Sequence, residues 1–188
     1  MDEEQKLHQP ESAQEASGAD KANNIEASIA KDAHQATPDE PEAVFIGTYA
    51  HTLDTKGRMI VPQAFRELLG ETFCIGPSFN FKSIGLYPNE VWKSLRAGYA
   101  RKARINSKLR LYLEQFDAMS YRDQECDGQG RVLLPLRIRQ RILGEDREVE
   151  IAGAGEYVRV AASASSDALF EAFLETLDET LDVMDSME

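Results

Sequence analysis

The chain has 188 residues and a formal net charge of −12, but the acidity belongs to its ends. Residues 1–42 carry 11 acids against 3 lysines, residues 167–188 carry 8 acids and no Lys or Arg, and residues 43–166 carry 14 acids against 18 bases. The basic centre keeps polyanion binding open; two isolated cysteines argue against a disulfide framework, scattered histidines against a metal site, and the lack of a long apolar run against a membrane span.

Residues 1–42 are poor in large apolar side chains, with Ile25 and Ile29 the only β-branched ones, so they are predicted to be a disordered acidic extension with at most a transient helix over 24–33. The start, Met-Asp-Glu-Glu, lacks the basic and apolar regions of a signal peptide, and a reduced, cytoplasmic location is expected. Order is predicted to begin near Val44-Phe45-Ile46. Tyr49–Leu53, a turn at Asp54–Gly57 and Arg58–Val61 read as a local hairpin. Pro62 then opens a short helix over Gln63–Leu69, stopped by Gly70. Strands follow at Phe73–Ile75 and Ser83–Tyr87. Asn89 is expected to cap a helical region running to Phe116, with a break near Asn106-Ser107. Trp92, Leu95 and Tyr99 share one face of it, and Ile105, Leu109, Tyr112 or Leu113 and Phe116 share another.

The pattern then returns. Ala118–Cys126 reads as strand, Asp127–Gly130 as turn, and Arg131–Leu134 as the return strand. Pro135 opens a helix through Leu143, with Gly144 as its stop. Val149–Ile151 and Tyr157–Val160 form a last hairpin. Ser165 or Ser166 is expected to cap a final helix with Leu169, Phe170, Phe173, Leu174, Leu177, Leu181 and Met184 along one stripe and acids opposite.

Asp54, Gly57, Arg58 and Pro62 recur as Asp127, Gly130, Arg131 and Pro135, all at an offset of 73 residues. A fixed offset means one structural unit used twice. Gly57, Gly128 and Gly130 are read as the turn residues that tolerate positive φ, and Asp54 and Asp127 as acceptors for turn N–H groups. Arg58 and Arg131 leave the turns, and Lys56 stands on the first one, where the second has Gln129. An arginine so placed either pairs with its own aspartate or forks onto a phosphate or guanine edge; the pairing would orient it for the second use.

Between Val91 and Leu113 stand Lys93, Arg96, Arg101, Lys102, Arg104, Lys108 and Arg110 with no acid among them, a run that reads first as a solvated face. Arg137, Arg139 and Arg141 alternate along the second short helix, and some are expected to pair with nearby acids. No nucleophile with its base and no phosphate-cradling glycine loop is visible, so no catalytic residue, cofactor or metal ligand is assigned and an enzyme is disfavoured.

Phe45-Ile46-Gly47 leading into Leu53-Asp54-Thr55-Lys56-Gly57-Arg58-Met59-Ile60-Val61-Pro62 resembles the start of the MraZ transcriptional regulators. So do Leu86-Tyr87-Pro88 before Trp92, and Glu125-Cys126-Asp127-Gly128-Gln129-Gly130-Arg131-Val132-Leu133. The resemblance covers roughly 45–165. It implies an α+β fold of tandem SpoVT-AbrB swapped-hairpin units around a pseudo-two-fold. The units fall at 48–90 and 121–164, with a helical connector at 91–117 and an acidic C-terminal helix at 166–188. It also implies ring-shaped homo-oligomers, nucleoid association, and double-stranded DNA as partner: G-rich direct repeats upstream of the division and cell-wall gene cluster, including the regulator's own gene. Carried over by position, Lys56, Arg58 and Arg131 face DNA, while Asp54, Gly57, Asp127 and Gly130 shape the turns. The other function class that the residues leave open is an oligomeric protein-interaction module without specific DNA binding.

Overall fold

The computed structural model describes residues 44–186. The extension expected at 1–42 lies outside the described residues. Eight strands and six helices are described: β1 (Thr48–Thr52), β2 (Arg58–Ile60), α1 (Gln63–Leu69), β3 (Phe73–Pro77), β4 (Ile84–Pro88), α2 (Asn89–Ala103), α3 (Ser107–Ala118), β5 (Tyr121–Gln124), β6 (Arg131–Leu133), α4 (Leu136–Ile142), β7 (Glu148–Gly153), β8 (Val158–Ala162), α5 (Ser163–Glu175) and α6 (Leu177–Asp185). The mixed α+β class expected from the sequence is observed.

Six strands form one antiparallel sheet in the order β1-β7-β8-β4-β3-β5, and β2 pairs with β6 in a separate ribbon. Exchanging each strand with its counterpart in the other half of the chain reverses the sheet order onto itself, which is the signature of a pseudo-two-fold. The expected local hairpin is corrected here. The turn closes locally, with the Asp54 N–H donating to the Arg58 carbonyl at 2.9 Å. The strands on either side of it then part: β1 pairs with β7 and β2 with β6, both in the other half. Each strand of the ribbon is only three residues long, and cross-pairing puts Met59 opposite Val132, with both side chains buried in the core.

The 73-residue repeat therefore continues inward. Met59 and Val132, Val61 and Leu134, and Phe65 and Ile138 are pairs at that offset, and all six are buried in one cluster. Burying such side chains, at about 1.5–3 kcal/mol each, is what holds the halves together. Phe45 is buried beside them and bridges to Gly155. A second cluster of Cys74, Tyr87, Trp92 and Phe116 joins the sheet to the α2–α3 hairpin. The Tyr87 hydroxyl donates to the Pro77 carbonyl at 2.9 Å, and burial pushes both Tyr87 and the Cys74 thiol up, the thiol to about 12.

Several local expectations are revised. Asn89 does not cap α2: it is the first helical residue, and its amide donates to the Thr72 carbonyl and hydroxyl at 3.0 and 3.1 Å. The break before α3 is as expected, with Asn106 accepting from the Lys108 and Leu109 N–H groups. Ile105 stands in that break and is 89 % exposed, so it does not join Phe116 on an inward face. The strand expected over Ala118–Cys126 shrinks to Tyr121–Gln124, because α3 runs through Ala118. At the C-terminal end neither Ser165 nor Ser166 caps a helix. α5 starts at Ser163, and the buried Ser166 hydroxyl is tied to the Glu150 carboxylate, which also takes Arg159 at 2.9 Å. The final helix is two helices that break at Thr176, and its apolar stripe is largely uncovered.

Candidate nucleic-acid interface

The two turns are built alike. Asp54 Oδ1 accepts from the backbone N–H groups of Lys56 and Arg58, both at 2.9 Å, and Asp54 Oδ2 accepts from Arg58 Nε at 2.7 Å. Asp127 Oδ1 accepts from the N–H groups of Gln129 and Arg131 at 2.9 Å, and Asp127 Oδ2 accepts from Arg131 Nε at 2.8 Å. One carboxylate thus folds the turn and aims the arginine at its exit. These bonds favour the charged carboxylate. The Arg58 backbone N–H, with help from its side chain and Lys56, holds Asp54 at about 2; the Arg131 guanidinium, then its N–H, holds Asp127 at about 2.

Gly57 and Gly130 sit at φ +82° and +75°, in the left-handed region that disfavours other residues. Gly128, expected to share that role, does not: it is not among the positive-φ glycines and has open space around it.

The arginines are paired and still presentable. Arg58 gives only its Nε to Asp54, and its two terminal nitrogens have no hydrogen-bond partner among the described residues. Arg131 likewise donates from Nε to Asp127, with its Nη2 2.7 Å from the same oxygen. Lys56 is exposed on the first turn. The ladder register places these groups together. Arg58 lies opposite Leu133 and Ile60 opposite Arg131, so all four are on one face of the ribbon, while Met59 and Val132 fill the other. Strand spacings put the two arginine Cα atoms roughly 8 Å apart on that face. Ile60 and Leu133, each about half exposed, lie between them.

Two contributors went unread in the sequence. Arg66 and Arg139, again 73 residues apart, reach from α1 and α4 across to the opposite half's turn. Arg139 Nη1 donates to the Lys56 carbonyl at 3.0 Å and lies where a Cβ on Gly57 would be. The Arg66 guanidinium lies 2.5 Å from where a Cβ on Gly130 would be. The shared offset, four residues after each proline, was the available signal. Arg147 adds to the first turn alone, donating through Nε and Nη2 to the Leu53 carbonyl at 3.0 and 2.7 Å. Contrary to expectation, none of Arg137, Arg139 and Arg141 is ion-paired among the described residues.

The basic run on α2 and α3 is partly used internally: Lys93 pairs with Glu90 at 2.6 Å and Arg96 grips Asp117 at 2.7 and 2.9 Å. Among the described residues no cluster of three or more metal-binding side chains occurs, and no helix is long and apolar enough to cross a membrane.

Residues 44–114 match a family model described as "MraZ protein, putative antitoxin-like". The chain is 35 % identical over 117 residues to the "Transcriptional regulator MraZ" of Carboxydothermus hydrogenoformans, covering 62 % of this chain and 80 % of that protein. It is 36 % identical over 119 residues to the protein of the same name from Lactiplantibacillus plantarum, covering 59 % and 83 %. With that of a Thermoanaerobacter strain it shares 31 % over 143 residues, covering 72 % and 98 %. Those alignments extend well beyond the first turn, and on that coverage the chain belongs to the MraZ family.

Proposed function

We propose that this protein is a sequence-specific, double-stranded-DNA-binding transcriptional regulator whose reading element is the β2–β6 ribbon with its two turns. One observation carries the reading: the register that sets Arg58, Ile60, Leu133 and Arg131 on a single exposed face, with Lys56 beside Arg58. A two-stranded ribbon fits the DNA major groove, about 12 Å wide, where arginines can fork onto guanine O6 and N7 and apolar side chains can meet thymine methyl groups. Lys56 supplies a phosphate contact that positions the ribbon without reading sequence. Asp54 and Asp127 hold the arginines in place before DNA arrives, which lowers the ordering cost of binding. The first turn, with Lys56 beside Arg58, contributes more than the second, with Gln129 in the matching place.

The family resemblance directs this reading to G-rich direct repeats upstream of the division and cell-wall gene cluster, the regulator's own gene included. It also makes the working form a ring-shaped homo-oligomer in the cytoplasm, associated with the nucleoid. One ribbon per subunit offers few contacts, and several subunits on spaced repeats raise the affinity through effective concentration. The test is a gel shift of the full chain on DNA from upstream of its own gene at two salt concentrations. Retardation that weakens steeply with salt supports the reading. A second reading, an oligomeric protein-interaction module, is favoured by the exposed apolar residues of α5 and α6. A stable assembly that never retards this DNA would select it.

A further inference from the structure

The pseudo-two-fold of this fold is broken by charge, and the break lies on its two short helices. At the offset of 73 residues, Leu136, Arg137, Gln140 and Arg141 on α4 stand where α1 has Gln63, Ala64, Glu67 and Leu68. The four on α4 share one helix face, are all exposed and line a single open depression. Neither Arg137 nor Arg141 has an ion-pair partner among the described residues. The matching face of α1 holds no base and one acid, Glu67, which accepts from the Gln63 amide at 3.1 Å.

The crossed halves decide which turn each helix stands beside. Arg139, next to this face on α4, donates to the Lys56 carbonyl at 3.0 Å. Gln140 lines both the arginine face and the cleft beside the first turn, where Asp54 and Gly57 also stand. α1 reaches the second turn in the same way, through Arg66 against Gly130. The basic helix face therefore joins the turn that has Lys56, and the acidic one joins the turn that has Gln129. Arg58 and Arg131, like Arg66 and Arg139, occur at both ends and make no difference between them. Glu145 and Asp146, the acids that follow α4, line the cleft with Arg139 and Arg147 and not the arginine face.

A ribbon in the major groove has a phosphate backbone along each flank. At the first-turn end two exposed guanidiniums without an acid partner are available to that backbone, and their forked donors suit phosphate oxygens. At the other end Glu67 would meet it with like charge. We infer that Arg137 and Arg141 clamp phosphates beside the first turn, so that each subunit's grip on DNA extends past the ribbon at that end alone. The clamp reads no sequence; it holds down the flank next to the bases that Arg58 reads. The inference deepens the proposed function and rests on its DNA-binding reading.

The test is an anisotropy titration of the full chain over a range of salt, on DNA from upstream of its own gene and on unrelated duplex of the same length. The parent is compared with Arg137→Gln/Arg141→Gln, with Arg137→Lys/Arg141→Lys, and with Arg101→Gln/Lys102→Gln, which removes the same charge from exposed positions on α2. Circular dichroism checks that each variant folds. Losing two phosphate contacts, the Arg137/Arg141 glutamine pair should show a slope of log affinity against log salt shallower by about 1.8 per subunit, on both duplexes. The lysine pair and the α2 pair should keep the parental slope. In hydroxyl-radical footprints the parent should protect one flank of each bound site further than the other, and the Arg137/Arg141 glutamine pair should lose that extension. A parental slope in that pair overturns the inference. An α2 pair that lowers the slope equally does so too, because the effect is then one of net charge. Footprints that are even in the parent also overturn it. In all three cases the parent still binds its DNA, and the regulator reading stands. A parent that binds no DNA removes both.

Discussion

A methyl group placed on Gly57 perturbs the first turn in two ways at once. At φ +82° an L side chain costs about 1–2 kcal/mol in backbone strain. The added Cβ also falls on the Arg139 guanidinium, which must leave, and its 3.0 Å bond to the Lys56 carbonyl is lost. That bond is charge-assisted but exposed, so about 1 kcal/mol is a fair value. Gly57→Ala should therefore destabilise the protein by about 2–3 kcal/mol and displace Lys56 and Arg58 together. Gly128→Ala is the internal control: without positive φ or a near neighbour, it should stay within about 0.5 kcal/mol of the parent. Gly130→Ala, at φ +75° with Arg66 merely crowded, should fall between them. Urea unfolding gives the stabilities, and fluorescence anisotropy on promoter DNA gives the binding. Gly57→Ala matching the parent in both assays, or Gly128→Ala failing as badly, would refute the geometry of the turn.

Other outcomes follow from the same geometry. Because both turn aspartates titrate near 2 in the folded chain, below their usual 3.8, their contribution is complete above 3.8 and lost as pH falls toward 2. Acid titrations of denaturant midpoints should show that loss, and Asp54→Asn with Asp127→Asn should flatten it. Arg58→Ala should weaken DNA binding more than Arg131→Ala, since Lys56 stands on the Arg58 turn where the second turn has Gln129; equal losses in anisotropy titrations would contradict the assigned asymmetry. Lys56→Ala should reduce the slope of log affinity against log salt by about 0.9, the signature of one phosphate contact per ribbon. Tyr87→Phe strands the buried Pro77 carbonyl and should cost about 1–3 kcal/mol, read as a lower calorimetric midpoint with DNA affinity unchanged.

Much of this molecule was legible before its structure, and the misses share a cause. The repeat at an offset of 73 residues marks chemistry that is local: an aspartate binding N–H groups two and four residues on, and a helix opened by a proline. Such features depend on neighbours in sequence and survive without knowledge of the fold. Strand pairing does not. Arg58–Ile60 pairs with residues more than seventy positions away, and nothing in the alternation of β1 and β2 says that they part company. The roles of Arg66 and Arg139 were hidden likewise, since each acts on the other half's turn. Asn89 had every local reason to cap α2, but the helix takes Pro88 at its cap position and Asn89 as its first residue, with the Asn89 amide donating to Thr72. Gly128 resembled its neighbours in composition alone, because only one residue per turn needs positive φ. On α5 and α6 the helical period was readable, but whether the stripe faces the chain's own core or a partner depends on where the sheet ends.

The central claim is that the Lys56, Arg58 and Arg131 face of the ribbon meets DNA. Its most direct measurement is an anisotropy titration of the full chain on double-stranded DNA from upstream of its own gene. The parent is compared with Lys56→Ala/Arg58→Ala/Arg131→Ala and with Lys82→Ala, an exposed lysine on a remote loop. At about 1–3 kcal/mol for each base-reading arginine, the triple variant should lose at least about thirtyfold in affinity while assembling and folding as the parent does, and Lys82→Ala should bind normally. A folded triple variant that binds this DNA as tightly as the parent would contradict the account.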